Sequence, residues 1–319
     1  MEKTIKGISR IIGIFIILII LFVGFSYINH KIKLAKDEKL FVPYGELIEL
    51  DGNRIHLYRE GKGDISLVFM AGGGTSSPVL DFKSLYSLLS DKYRIVVVEK
   101  LGYGFSDVAD VDRDIESILS DTREVISKAG IEGPFVLLPH SMSGLEALYW
   151  AQEYPEEVRA IIGLDMAVPE AYDEFELNMP LVKISALAAR LGITRWIPGV
   201  AESDAIKYGT LTKEEKDLYR AIFYRRTATK TMIREVEEVK ANAKLVKEGE
   251  LPDIPTLMFS SNGQATGWDR ESWIKFQEDY VKMAKDAQLI KLDCSHYIHD
   301  IEYKSISGQV DTFIRSLNK

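Results

Sequence analysis

The stretch FVLLPHSMSGLEALYWAQEYP, Phe135 to Pro155, decides the fold. Phe135, Val136, Leu137 and Leu138 form a short apolar run of the kind that fills a buried strand. Gly144, Leu145, Ala147, Leu148 and Ala151 follow with the spacing of a helix face packed on that strand. Between them lies His140-Ser141-Met142-Ser143-Gly144. A serine flanked by small residues, set between strand and helix, marks a tight turn that lifts one side chain above a sheet. Small residues are needed there because strand and helix pass almost in contact, and Ser143 fits. Pro139, with fixed φ and no N–H, suits the end of a strand but not its hydrogen-bond ladder.

Working outward, the chain before this turn carries strand signals. GELIELDGNRIHLYREG (45–61) alternates apolar and polar residues around Asp51-Gly52, a hairpin signal. ISLVFMAGGGTSS (65–77) is an unbroken apolar run ending in glycines, as suits a parallel strand covered on both faces. A helix is expected over Leu80–Ser90, a buried strand over Ile95–Val98 and a helix over Asp112–Ala129 stopped by Gly130. Beyond the turn, Ala160–Leu164 reads as a strand ending at Asp165. Helical spacing fills the region from Pro169 to Leu251, and its charges read as a solvated face. Strands return at Thr256–Phe259 and in AQLIKLD (287–293), before a closing amphipathic helix. Alternating strands and helices give a mostly parallel, doubly wound sheet. Ser141, the glycine loop and Asp165 would then share the carboxyl edge where ligands bind.

PHSMSG resembles the GHSMGG elbow of the α/β-hydrolase fold family, with Pro139 for the usual glycine, and the resemblance extends over roughly Val42 to Lys319. It continues in Glu99-Lys100-Leu101-Gly102-Tyr103-Gly104-Phe105-Ser106, similar to the family's D-x-x-G-x-G-x-S loop and read as a structural loop beside the site. It continues again in CSHYIHDIEYKSI (294–306), similar to the terminal loop that carries the family's histidine. The resemblance implies an α/β-hydrolase fold with a helical cap at about 169–251. It implies Ser141 as nucleophile, His296 as base and Asp165 as the acid, in the chain order Ser, Asp, His. The acid is the least determined member. The loop after the penultimate strand, where most of the family places it, reads Ser260-Ser261-Asn262-Gly263-Gln264; Asp269 is a second choice, and Asn262 could orient a histidine without charge.

Ala71-Gly72-Gly73-Gly74 stands where the family has His-Gly. The glycines suit either a plain turn or an oxyanion-hole loop, whose backbone N–H must reach a substrate oxygen without a Cβ in the way. Beside Ser141 the second reading is favoured, with Met142 and Gly73 as donors and Gly74 next. Of the remaining histidines, His30 lies near the apolar segment, His56 in the hairpin and His140 beside the serine, while His299 could compete with His296. A metal site from His296 and His299 lacks carboxylate spacing. No cofactor is implied, because no phosphate-binding or dinucleotide fingerprint follows a strand.

The function expected is a serine hydrolase acting on a small ester. The alternatives are an amidase or small-substrate aminopeptidase of the same fold, and a non-catalytic binding protein on the scaffold. Dehalogenase or epoxide hydrolase chemistry would need a carboxylate at the elbow, where Ser141 stands. With 319 residues and 46% hydrophobic content the chain can bury a large core, and a net charge of −8 argues against nucleic acid. A single cysteine, Cys294, excludes an internal disulfide framework.

The first 41 residues stand apart. Ile11–Asn29 is a run of 19 residues without charge, about 28 Å as a helix and close to the bilayer core. Lys3, Lys6 and Arg10 precede it and Lys31, Lys33 and Lys36 follow, so the positive-inside rule decides little. An uncleaved single-pass anchor in the cell membrane is expected, with the catalytic domain outside and residues 29–41 as a charged linker. The alternative is a secreted protein released by signal cleavage near Gly24-Phe25-Ser26. Oligomeric state is not legible.

Overall fold

The computed structural model describes residues 2–317, with side chains from Thr4 onward. One long helix, α1 (Glu2–Asp37), precedes the hairpin strands β1 (Glu46–Leu50) and β2 (Asn53–Glu60). Asp51 and Gly52 take φ of 50° and 77°, the paired left-handed conformation that a two-residue hairpin needs to match strand twist. Next come β3 (Ser66–Met70), α2 (Pro78–Asp81), α3 (Lys83–Tyr86), β4 (Arg94–Glu99), α4 (Ile115–Lys128), β5 (Phe135–Pro139), α5 (Ser143–Glu153) and β6 (Val158–Leu164). Four helices then lie between β6 and the next strand: α6 (Met179–Arg190), α7 (Asp204–Lys207), α8 (Lys213–Arg226) and α9 (Lys230–Glu248). The chain closes with β7 (Thr256–Ser260), α10 (Arg270–Met283), β8 (Ala287–Lys291), α11 (Ile298–Ile301) and α12 (Tyr303–Ser316).

The eight strands form one sheet in the order β1-β2-β4-β3-β5-β6-β7-β8. Only the pairings β1–β2 and β2–β4 are antiparallel; all pairings from β4 to β8 are parallel. Because side chains alternate along a strand, each inner strand feeds two cores. Val68, Val96, Leu137, Ile161 and Met258 pack with Leu119 and Val125 of α4, Leu148 and Trp150 of α5 and Tyr280 of α10. Phe69, Val97, Leu138, Ile162 and Phe259 face the other way, onto Leu85 and Tyr86 of α3 and Val310 and Phe313 of α12.

The structure departs from the sequence expectations at several boundaries. The helix expected over 80–90 is two single turns, α2 and α3. Every residue from Pro78 to Tyr86 except Lys83 is buried, so core contacts rather than helix propensity set that path. The helix expected from Asp112 begins at Ile115, because the Asp114 side chain accepts from Ser117 N–H and caps it. Pro139, as expected, stands at the end of β5, opposite Met70. The segment 29–41 is no free linker. Helix α1 runs through Asp37 and docks on the cap: Arg195 Nε donates to His30 Nδ1 at 2.9 Å, and Trp196 Nε1 to Ser26 Oγ at 3.0 Å.

Candidate active site

Ser141 leaves β5 at φ +56°, a left-handed conformation that costs a non-glycine residue about 1–3 kcal/mol and marks sites held by their surroundings. Those surroundings are specific. Ser143 Oγ donates its one proton to the Met70 carbonyl at 2.7 Å, lies 2.8 Å from the His140 carbonyl and accepts from His140 N–H, stapling the elbow to β3. A Cβ at Gly144 would lie 2.1 Å from the Ala167 carbonyl oxygen, and Ala167 N–H donates to the Ser141 carbonyl at 2.8 Å. The loop after β6 therefore holds the elbow in place, and only glycine permits the approach.

Asp165 directly follows β6, at φ +53°, and is fully buried. Its Oδ2 lies 2.6 Å from His296 Nδ1. Its Oδ1 accepts from Ser261 N–H at 2.8 Å, Trp273 Nε1 at 2.8 Å and Gln277 Nε2 at 3.2 Å. Burial alone would push this carboxyl up, but the His296 hydrogen bond and charge, with Ser261, hold it below the usual carboxylate range. Asp269 is elsewhere: it is exposed and caps α10 by accepting from Ser272. Asn262 accepts from Gln264 N–H within its own turn.

His296 is 5% exposed, and its main-chain N–H donates to the Gln264 carbonyl at 3.0 Å. Its ring stands against those of His140, at 4.5 Å between centroids, and Trp273, at 5.7 Å. His140 turns its Nε2 to the His296 carbonyl at 3.2 Å, and burial keeps it neutral by lowering it far below the ordinary histidine value. His299 is fully buried and held down to about 3, by burial first and by His296 second. Neither is set up to accept a proton near neutral pH, and neither bonds Asp165. Ser141 Oγ and His296 Nε2 engage no hydrogen-bond partner among the described residues.

The glycine loop follows β3. A Cβ at Gly72 would lie 2.6 Å from Ser141 Cβ, so the loop and the serine are in contact. Gly74 N–H donates to Tyr103 Oη at 3.2 Å. Gly73 N–H and Met142 N–H donate no hydrogen bond among the described residues. Tyr103 in turn donates to Glu235 of α9, at 3.0 Å. Glu235 shares the buried Lys100 ammonium with Glu146 of α5, at 2.5 and 2.6 Å. Burial would lower Lys100, but the two carboxylates outweigh it and hold it charged. Glu99 acts as the loop's internal acceptor, bonding His56 Nδ1 and the N–H groups of Val79 and Phe105.

Sequence reasoning missed the Lys100–Glu146–Glu235 cluster and the three donors on Asp165. Trp273 and Gln277 were detectable as an i, i+4 polar pair on one face of α10. Glu235 was hidden in a charge-rich helix.

The comparisons with known proteins follow this geometry. Residues 66–188 match the family profile described as alpha/beta hydrolase fold. An uncharacterized protein, YbdG of Bacillus subtilis, is 36% identical over 308 residues, 93% of this chain and 94% of that protein. The chain belongs to the α/β-hydrolase fold family. As a member it is a hydrolase of that fold. Cis-3-alkyl-4-alkyloxetan-2-one decarboxylase of Shewanella oneidensis is 23% identical over 281 residues, covering 83% of this chain and 85% of that one. Haloalkane dehalogenase DbeA from Bradyrhizobium elkani superposes with a TM-score of 0.63 at 17% identity, over 86% of this chain and 98% of that one. At that identity the likeness speaks for the hydrolase fold alone. The N-terminal helix, Thr4–Leu40, is long and apolar enough to cross a membrane.

Proposed function

We propose that this α/β-hydrolase is a membrane-anchored serine hydrolase that cleaves carboxylic esters through an acyl-enzyme. The observation that carries the reading is the 2.6 Å contact from His296 Nδ1 to Asp165, in a chain whose Ser141 is held at a strained strand-to-helix turn. A serine hydroxyl is a poor nucleophile until a base takes its proton. His296 Nε2 takes that proton as Ser141 Oγ attacks the ester carbonyl, then returns it to the leaving alkoxide. Asp165 keeps the Nδ1–H tautomer and stabilises the imidazolium that forms. Water, activated by the same imidazole, releases the acid and restores the serine. Met142 and Gly73 supply the oxyanion donors; both N–H groups are unengaged, whereas that of Gly74 is held by Tyr103. Each such donor is worth about a hundredfold to a thousandfold in rate.

Helix α1 serves as the anchor, with the catalytic domain on the outer side. Its continuity through Asp37, and the docking of Phe22, Phe25 and Ser26 on Trp196, favour retention over cleavage near Ser26.

The test is covalent labelling by a fluorophosphonate probe. Wild-type protein is expected to label at one site and Ser141→Ala not at all, with unchanged circular dichroism. Undiminished labelling of the folded variant would remove Ser141 from the mechanism.

A further inference from the structure

Helix α6 of the cap has two apolar faces. Ala186 and Ala189 are buried in the protein. On the opposite side Leu181, Ile184 and Leu187 are 59%, 64% and 55% exposed, at the three-residue spacing that places them on one stripe. The helix has no acidic residue, and Lys183 and Arg190 flank the stripe. It leads directly into Gly192 and the turn Ile193–Trp196, where Trp196 and Ile197 are also exposed.

That turn is where α1 docks. Gly192 takes φ +73°, and a Cβ there would lie 2.4 Å from His30 Cβ and 2.9 Å from the Ser26 carbonyl oxygen. The Trp196 ring lies 5.9 Å from Phe22 and 5.8 Å from Phe25. These residues precede Asn29, the end of the uncharged run, by about 6–10 Å of helix rise. If the bilayer stopped short of Trp196, only Ile11–Leu21 would remain to cross it. That is about 16 Å of helix against a core of about 30 Å. Sliding the span toward the N-terminus would instead draw Arg10 and Lys6 into hydrocarbon, which is costly for a charged side chain.

We infer that the α6–Trp196 face of the cap is seated in the same bilayer that α1 crosses. Its partner is the lipid surface: Leu181, Ile184, Leu187 and Ile197 enter the acyl boundary, Trp196 sits at the interface against α1, and Arg190 reaches up to anionic headgroups, while Lys183 stays paired with Glu237 of α9 at 2.8 Å. An amphipathic helix with a basic flank and an apolar stripe has the composition for this position. The inference rests on the anchor reading of α1. It extends that reading by fixing the depth and tilt of the catalytic domain, so that the cap is part of the membrane contact.

The test uses the full chain in vesicles of phosphatidylethanolamine and phosphatidylglycerol. Single nitroxide labels are placed by Ile184→Cys and, separately, Leu187→Cys. Ile17→Cys reports the anchor and Lys244→Cys an aqueous face of the cap. The buried Cys294 thiol, pushed up to about 12 by its burial, gives the background in the unsubstituted chain. Depth is read from the ratio of oxygen to nickel-complex accessibility. Labels at 184 and 187 are expected to give a ratio several-fold above that at 244 and nearer that at 17. A lipid-like ratio at 17 with water-like ratios at 184 and 187 would overturn the cap inference and leave the anchor standing. A water-like ratio at 17 would overturn both. Labels at 184 and 187 shielded from both reagents, with spin–spin broadening lost on dilution with unlabelled chain, would assign the face to a second copy and overturn the lipid reading.

Discussion

Asp165→Asn isolates the electrostatic role of the carboxylate from its structural one. The substitution is nearly isosteric, and the three donors on Oδ1, from Ser261, Trp273 and Gln277, dictate how the amide must lie. Its oxygen takes the Oδ1 position, because a nitrogen there would face three N–H groups. The amide nitrogen is thereby placed at the Oδ2 position, 2.6 Å from His296 Nδ1. An N–H aimed at Nδ1 forces that nitrogen to accept, so the imidazole proton moves to Nε2. Nε2 then carries the proton, and this is the tautomer that cannot take one from a serine hydroxyl. The same change in a Ser-His-Asp triad lowers kcat by about ten-thousandfold, which is about 5.5 kcal/mol of barrier. KM should hold, since Asp165 touches no substrate. The assay is hydrolysis of a short p-nitrophenyl ester by wild type and variant across pH 6–10, with folding checked by thermal unfolding. Above neutral pH the variant should regain part of its rate as hydroxide replaces the missing base. A folded variant within tenfold of wild-type kcat would refute the assignment of Asp165 as the partner of the base.

Three further outcomes follow from the geometry. Gly72→Ala places a methyl 2.6 Å from Ser141 Cβ and 3.0 Å from the His140 carbonyl oxygen. A displacement of about 1 Å at the nucleophile is expected to cost at least about a hundredfold in kcat/KM, and unchanged kinetics would show that the loop and serine are not in contact. Lys100→Met leaves Glu146 and Glu235 as uncompensated buried carboxyls, and is expected to destabilise the protein by about 3–5 kcal/mol in urea unfolding; Glu146→Gln combined with Lys100→Met should recover part of the loss. Asp81 is fully buried, and desolvation, reinforced by Asp204 and Glu99, pushes it up to about 7 although Tyr219 donates to it. A carboxyl raised in the folded state contributes stability that is complete below its unfolded value, near 4, and lost as pH climbs through the folded one. Asp81→Asn should therefore gain unfolding midpoint relative to wild type between pH 4.5 and 8, and a pH-independent difference would contradict this.

The sheet was legible because it follows from alternation and apolar runs, and hydrophobic burial leaves such strands little choice. The elbow was legible because a serine between small residues can be tight only in one way. Boundaries failed where tertiary contacts overrode local preference: Phe82 and its neighbours broke an apparent helix into two turns to fill the core. The segment after Asn29 looked like a linker because its charges suggest solvent. Its partners, Arg195 and Arg225, come from distant cap elements that no local pattern announces. The pairing of Trp273 and Gln277 on one face of α10 was detectable, but not its target: Asp165 meets them and Ser261 only after the sheet is assembled.

The buried ammonium of Lys100 decides which way the roof can breathe. It rivets α9 to α5 through two buried carboxylates, so lifting that side would leave charges unpaired in the interior. The far side combines partly exposed contacts, Lys83 to Glu215 and Ser295 to Asp204, with the buried bond from Tyr219 of α8 to Asp81. Any opening of the roof would therefore pivot on α9, which the buried cluster ties to α5.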